Sequence, residues 1–320
     1  MRDFRFSHNV FGVSNRDEFV AECREAEEYG YDTLFAADHL GIPAPFPLLV
    51  AAAAATQRLR VGTLVLNAAF WNPALLAREV ATTDILTGGR LELGLGSGHM
   101  KWEFDQAGIG WQGPSVRAAA LEQMIGELER FFSSEFAELR AGSAGPKPVQ
   151  RAGFGGYGPP LIVGGTGDAV LWIAGQHAQI IGVAGAYQVK GQAPGTFRLA
   201  TAAEVDERMA FARARAGARA DEIEWHLLVQ AVVVTDDRLA AAHHLVAEHR
   251  EHFEALGVSD DRAVLTVEEA LDTPFLLIGT VDEIAAQLGR SRERWGYSYI
   301  TVHEPYRRAF APVIERLRHP

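Results

Sequence analysis

The chain has 320 residues, 48% of them hydrophobic and 22% charged, the composition of a soluble globular protein with room for one large α/β domain or two smaller ones. A formal net charge of −11 and an isoelectric point near 5.5 exclude a basic footprint for nucleic acid or an anionic membrane surface, so any anionic ligand must meet a local cluster of donors. The single cysteine, Cys23, excludes an intrachain disulfide and reads as a small buried hydrophobe; with no apolar h-region in MRDFRFSHNV and no apolar run of ~18 residues, the sequence predicts a cytoplasmic protein without a membrane partner.

Phe4 to His8 reads as a short strand, and Ser14-Asn15 starts a helix with Phe19, Val20, Cys23 and Ala26 on one face and its end at Gly30. Thr33 to Ala37 (TLFAA) is a second strand, Phe46 to Gln57 an alanine-rich helix, and Val61 to Leu66 (VGTLVL) a third strand. Asn72-Pro73 sets a capping side chain before a proline at the first helical position, and that helix closes at Gly88-Gly89. Leu91 to Gly96 is the fourth strand. Beyond Ser115, residues Leu121, Met124, Ile125, Leu128, Phe131 and Phe132 form a stripe at helical spacing.

Residues 133–158, rich in Gly and Pro and without period, predict an insertion or lid. Pro160 to Gly164 (PLIVG) resumes as a strand, followed by a helix over Ala169 to Gln176 and a short strand from Ile180 to Val183. A second irregular stretch, 184–200, is also a lid candidate and precedes a helix at about 202–217. Trp225 to Val234 (WHLLVQAVVV) is the longest strand-like run, and a helix follows from Leu239. A capping box at Thr280 and Glu283 opens the helix carrying Ile284 and Leu288, and Tyr299 to Val302 is the last strand. Eight nearly all-apolar strands alternating with helices predict a parallel sheet covered on both faces. The count fits a closed (β/α)8 TIM barrel with insertions, spanning residues 1–320 as one domain; an open doubly wound sheet is the alternative.

In such a barrel the chemistry sits just past the strand ends. Those positions hold His8 and Asn9, Asp38-His39, Asn67, Ser97-Gly98-His99, Gly164-Gly165-Thr166-Gly167, and His303-Glu304. An imidazole transfers protons near neutral pH and a carboxylate can tune it, yet Asp38 and His39, adjacent on a strand, point opposite ways. Asp38 is equally a cap and His39 equally a packing residue. The glycines at 164–167, between a strand and a helix, offer backbone N–H groups to an anion. GLGSG at 94–98 reads either as the edge of a cofactor site or as close strand packing at the rim. No histidines stand at metal-ligand spacing near a strand end, and His243, His244 and His249 lie on a polar helix, so no metal is predicted.

The segments DHLG at 38–41, VGTLVLN at 61–67, NPALLAREVATTDILTGGRLELGLGSG at 72–98, EFDQAGI at 103–109, PPLIVGG at 159–165, LLVQAVVVTDD at 227–237 and FLLIGT at 275–280 resemble the luciferase-like monooxygenase superfamily. Within it they are similar to the oxidoreductases dependent on the deazaflavin coenzyme F420. The resemblance implies a TIM barrel with the cofactor across its C-terminal mouth. It places Leu64, Val65, Leu66 and Asn67 behind the ring, often with a non-proline cis peptide, Ser97 and Gly98 beside the ribityl chain, and Arg117 with Gly164, Gly165 and Thr166 around the phosphate. The sugar-phosphate dehydrogenase branch carries a carboxylate where His99 stands here. Glu103 and Phe104 read as structural residues of the loop after His99.

Three functions follow as expectations. The first is an F420-dependent hydride transfer with a small organic substrate, His39 acting as the proton donor or acceptor, supported by Asp38, and His99 orienting the substrate. The second is an FMN-dependent monooxygenase supplied with reduced flavin by a partner reductase. The third is a cofactor-binding barrel without turnover. The superfamily implies a homodimer.

Overall fold

The computed structural model describes residues 2–133, 145–258 and 260–319. Its strands are β1 (Arg5–Val10), β2 (Thr33–Ala36), β3 (Arg60–Thr63), β4 (Leu66–Asn67), β5 (Leu91–Gly96), β6 (Leu161–Gly165), β7 (Ile180–Val183), β8 (Ala186–Gln188), β9 (Phe197–Leu199), β10 (Glu224–Leu228), β11 (Ala231–Val234), β12 (Leu276–Gly279) and β13 (Tyr297–His303). The main sheet runs β3-β2-β1-β13-β10-β7-β6-β5-β4, all parallel, and a β3–β5 pairing closes it into an eight-position barrel whose third position is shared by β3 and β4. Helices such as Pro73–Leu86, Pro114–Phe132 and Val281–Trp295 cover the outside.

The local signals explain the element ends. Asn15 and Asn72 cap their helices by accepting from the backbone N–H groups two and three residues on, with Pro73 in the first turn. Thr280 and Glu283 form a complete capping box. Gly88 and Gly89 take φ of 66° and 77°, which ends the helix before β5 where a side chain would be strained.

Three expectations about individual elements need correction. The run from Trp225 to Val234 is two strands, because the chain leaves the barrel after β10 and β11 pairs in parallel with β12 as a separate two-stranded sheet. The stretch 184–200 is not irregular: β8 and β9 form an antiparallel hairpin. Residues Lys101–Gln106, read as loop, form a short helix that buries Glu103 and Phe104.

Of the lid expected over 133–158, residues 134–144 lie outside the described residues. The described remainder packs at the base, away from the mouth. Val149 N and Gln150 N donate to Asp84, Gln150 Nε2 donates to Leu91 O at the start of β5, and Phe154 stacks edge-on against Phe132 at 5.1 Å. The described part, 145–158, leads into β6 at that strand's N-terminal end, the face of the barrel opposite the mouth.

The barrel interior is layered. At the base, Glu92 accepts from Arg5, from Arg60 Nε at 2.6 Å and from the Tyr299 hydroxyl at 2.9 Å, while Arg5 also pairs with Glu224 at 2.7 Å. Burial would raise the Glu92 pKa, but Arg5 and Arg60 outweigh it and leave it lowered. Phe35, Ile162, Ile180 and Tyr299 form an apolar layer distinct from the main core between barrel and helices. Above it, Thr301 Oγ1 lies 2.6 Å from His226 Nε2 and bonds Ser7, and Gly182 makes room for the His226 ring. Among the described residues no helix is long and apolar enough to cross a membrane, and no group of three or more His, Cys, Asp or Glu is placed to hold a metal. On the helix Arg238–Ala255, His243 and His244 are exposed, but His249 is half-buried and its pKa is lowered by that burial.

Candidate active site

Strand β3 ends at Thr63, the Leu64-Val65 peptide is cis, and the chain rejoins the sheet as β4, pairing Leu66 with Leu95 and Asn67 with Gly96. This bulge explains the glycines of GLGSG. A side chain at Gly94 would collide with the Thr63 carbonyl, one at Gly96 would come within 2.7 Å of Val65, and one at Gly98 within 2.7 Å of the Asn67 amide. Close packing against the bulge is thus the reason for these glycines. Asn67 accepts from Ala69 N through Oδ1, while its buried Nδ2 has no partner among the described residues. An orphaned donor beside Ser97 and Gly98 at a strand end fits a bound ligand with acceptor atoms.

His39 and His99 come together, their rings 5.5 Å apart and edge to face. The carboxylate that meets His39 is Glu103, only 2% exposed, whose Oε1 accepts from His39 Nδ1 at 2.9 Å and from Leu40 N at 3.1 Å. Asp38 instead accepts from Trp71 Nε1 at 2.8 Å and Asn67 N at 3.2 Å, so it ties the β2 loop to the β4 end and does not touch His39. Burial raises the Asp38 pKa against those two hydrogen bonds. His99 keeps an exposed edge but is flanked by His39 and by Phe197, whose ring is 5.5 Å away. This desolvation, with His39 and Arg117 adding repulsion, lowers its pKa, so His99 is neutral near pH 7.

Phe197 arrives on the β8–β9 hairpin. The hairpin turn includes Gly195, at φ 103°, where a side chain would strike Met100, so this tip lies against the loop carrying His99. Its root is tied down by the Thr166 hydroxyl, which donates to Ala184 O and Ala186 O. Thr166 therefore offers an anion its backbone rather than its hydroxyl. Gly164 and Gly165 end β6 beside it, paired with Gly182 and Val183. Arg117 places its Cζ over Trp111, 3.9 Å from the ring centroid, donates to Gln112 O, and has its buried Nε unpartnered among the described residues. Its charge reaches His99, but no hydrogen bond joins it to Gly164, Gly165 or Thr166.

Of the first-strand residues only Asn9 belongs to the mouth. His8 points outward, 5.1 Å from the Tyr31 ring, with its pKa pushed down to about 3 by burial and by Arg307. Asn9 contacts His303 Nδ1, and His303 Nε2 contacts Gln230. Glu103, Phe197 and Gln230 were not singled out as site residues by sequence; each stands in an element whose position only the fold determines.

A closed parallel barrel with its titratable groups converging past the strands' C-terminal ends is the arrangement of a catalytic TIM barrel. The luciferase-like monooxygenase family model matches residues 6–299, and the chain belongs to that family of flavin- or F420-dependent oxidoreductases and monooxygenases. It is 27% identical over 210 residues to an F420-dependent glucose-6-phosphate dehydrogenase of Nakamurella multipartita, covering 61% of this chain and 57% of that protein. It is 28% identical over 158 residues to the oxygenase component of a flavin-dependent trigonelline monooxygenase of Acinetobacter baylyi, covering 46% of this chain and 42% of that protein. The chain thus spans about half the length of these curated relatives. The fold is shared with the coenzyme F420-dependent tetrahydromethanopterin reductase of Methanopyrus kandleri, at a TM-score of 0.70 and 17% identity over 98% of both chains. It is shared equally with the EDTA monooxygenase of Chelativorans sp., at a TM-score of 0.73 and 15% identity over 99% of this chain and 94% of that one.

Proposed function

We propose that this protein is an oxidoreductase that holds a deazaflavin of the F420 type in the barrel mouth and moves hydride to or from a small organic substrate, with His39 transferring the accompanying proton. The observation that carries this reading is the His39–Glu103 bond. A carboxylate oxygen only accepts, so the bond fixes the proton on Nδ1 and leaves Nε2 free to give or take a proton at a substrate oxygen. Such positioned general acid or base catalysis contributes typically 10² to 10⁴ in rate.

The cofactor's contacts in this reading are the Leu64-Val65-Leu66 bulge behind the ring, Asn67 Nδ2, Ser97 and Gly98 along its chain, and Arg117 with the Gly164-Gly165-Thr166 backbone at its phosphate. A bound deazaflavin supplies a two-electron hydride carrier. Asp38 positions the mouth by holding Asn67 and Trp71 in place, and neutral His99 hydrogen-bonds the substrate under the cover of Phe197.

A second reading, an FMN-dependent monooxygenase working with a reductase partner, draws its support from the match to the trigonelline monooxygenase oxygenase component. Parallel fluorescence titrations of the protein with oxidised F420 and with FMN separate the two. Tighter binding of F420 is expected, and tighter binding of FMN would favour the monooxygenase.

A further inference from the structure

At the ends of β10, β13 and β1, three neighbouring strands of which β1 adjoins the β2 strand that leads to His39, stand three side chains that the chemistry above does not use: Gln230, His303 and Asn9. Their hydrogen-bond directions follow from one fixed point. The Leu228 carbonyl can only accept, so Gln230 Nε2, 3.3 Å away, donates to it and Oε1 is left to face His303. That oxygen also only accepts, so His303 Nε2, 3.3 Å from it, carries a ring proton.

Burial alone lowers the His303 pKa, with no ionised neighbour contributing, and a neutral imidazole has one N–H. Nδ1 is therefore an acceptor, and Asn9 donates Nδ2–H to it over 3.0 Å. Asn9 Oδ1, 3.1 Å from the same nitrogen, receives no proton from it. Asn9 is only 3% exposed, and a buried acceptor without a donor is unfavourable until a ligand or water supplies one. Gln230, half-buried, keeps a second amide proton for a neighbouring oxygen.

We propose that Asn9, Gln230 and His303 form a subsite for a hydroxyl group of an uncharged substrate, which donates to Asn9 Oδ1. This rests on the reading of the mouth as a substrate site and deepens it by naming the substrate class. A carboxylate or phosphate brings only acceptors to face Asn9 Oδ1, and among the described residues no Lys or Arg side chain is hydrogen-bonded to Asn9, Gln230 or His303. Glu304, the charged side chain beside His303, accepts from Phe11 N at 2.8 Å, and the Phe11 ring, 5.3 Å from that of His303, adds apolar cover. The subsite thus selects neutral molecules over anions of the same shape.

The test uses the whole 15N-labelled protein and three matched pairs of probes: benzyl alcohol with benzoate, cyclohexanol with cyclohexanecarboxylate, and glycerol with glycerol phosphate. The side-chain amide signals of Asn9 and Gln230 and the imidazole signals of His303 are followed at pH 7. The alcohols of at least two pairs should shift them saturably, with the charged partners at least about tenfold weaker, and Asn9→Leu should weaken the alcohols by about tenfold or more. If Asn9→Leu does not fold, Gln230→Met carries the same expectation. The proposal is overturned if the charged partners bind there as well as the alcohols, if no alcohol moves these signals, or if the ring shifts show a proton on His303 Nδ1. Because no cofactor is present, these results are independent of the F420 and FMN titrations.

Discussion

Glu103 receives two donors on one oxygen, and the two substitutions available there separate geometry from charge. Glu103→Ala removes the acceptor of both His39 Nδ1 and Leu40 N, whereas Glu103→Gln keeps an acceptor oxygen for them, removes the charge and puts an amide NH2 in place of the second oxygen. A hydrogen bond to a charged group contributes about 1.5–3 kcal/mol and a neutral one about 0.5–1.5 kcal/mol. At about 1.4 kcal/mol per factor of ten, the alanine variant loses about 10- to 100-fold of the correctly held His39, and the glutamine variant up to about tenfold. Single-turnover rates at saturating cofactor measure this loss, and imidazole 15N shifts of the cofactor-free protein report the Nδ1–H tautomer directly. The expected order is native, then Gln, then Ala, with cofactor affinity unchanged. A rate in Glu103→Ala within about threefold of native, alongside a loss beyond about 100-fold in His39→Ala, would show that the bond does not position His39.

His8 and His226, both fully buried, are pushed by burial from 6.5 to about 3. The unfolded chain therefore binds more protons than the folded one between those values, so their contribution to stability is complete above pH 6.5 and is lost as pH falls toward 3. Going from pH 6 to pH 5 should cost about 2 kcal/mol from the pair, measurable in denaturant melts, and His226→Gln should reduce that dependence; an unchanged slope refutes the assignment. Arg117→Ala should weaken cofactor binding by about 10- to 100-fold, from the loss of about 1.5–3 kcal/mol in one charged contact, and unchanged affinity in a titration removes Arg117 from the phosphate site.

The barrel was readable because its evidence is repetitive. Continuous apolar runs such as TLFAA and PLIVG, buried on both faces, leave few alternatives to a parallel sheet, and Asn72-Pro73 or Thr280 with Glu283 mark helix starts by local chemistry alone. What sequence missed depends on chain crossing space. Glu103 meets His39 from 64 positions away, and its helix is too short to show a period. The lid reading of 133–158 failed for its described part for a simpler reason: loop composition says nothing about which end of the barrel a loop occupies, whereas element order does. The hairpin at 184–200 was hidden because its strands are three residues each, shorter than any recognisable alternation.

The layered floor beneath the mouth makes the molecule a cup with one opening. Among the described residues, the Arg5, Glu92, Arg60 and Glu224 network and the apolar layer of Phe35, Ile162, Ile180 and Tyr299 fill the barrel interior below the mouth. Two ligands that use this mouth must share the same doorway, partly roofed by the β8–β9 hairpin. Where one of them covers the other, the covered one must enter first and leave last, whatever the relative affinities of the two.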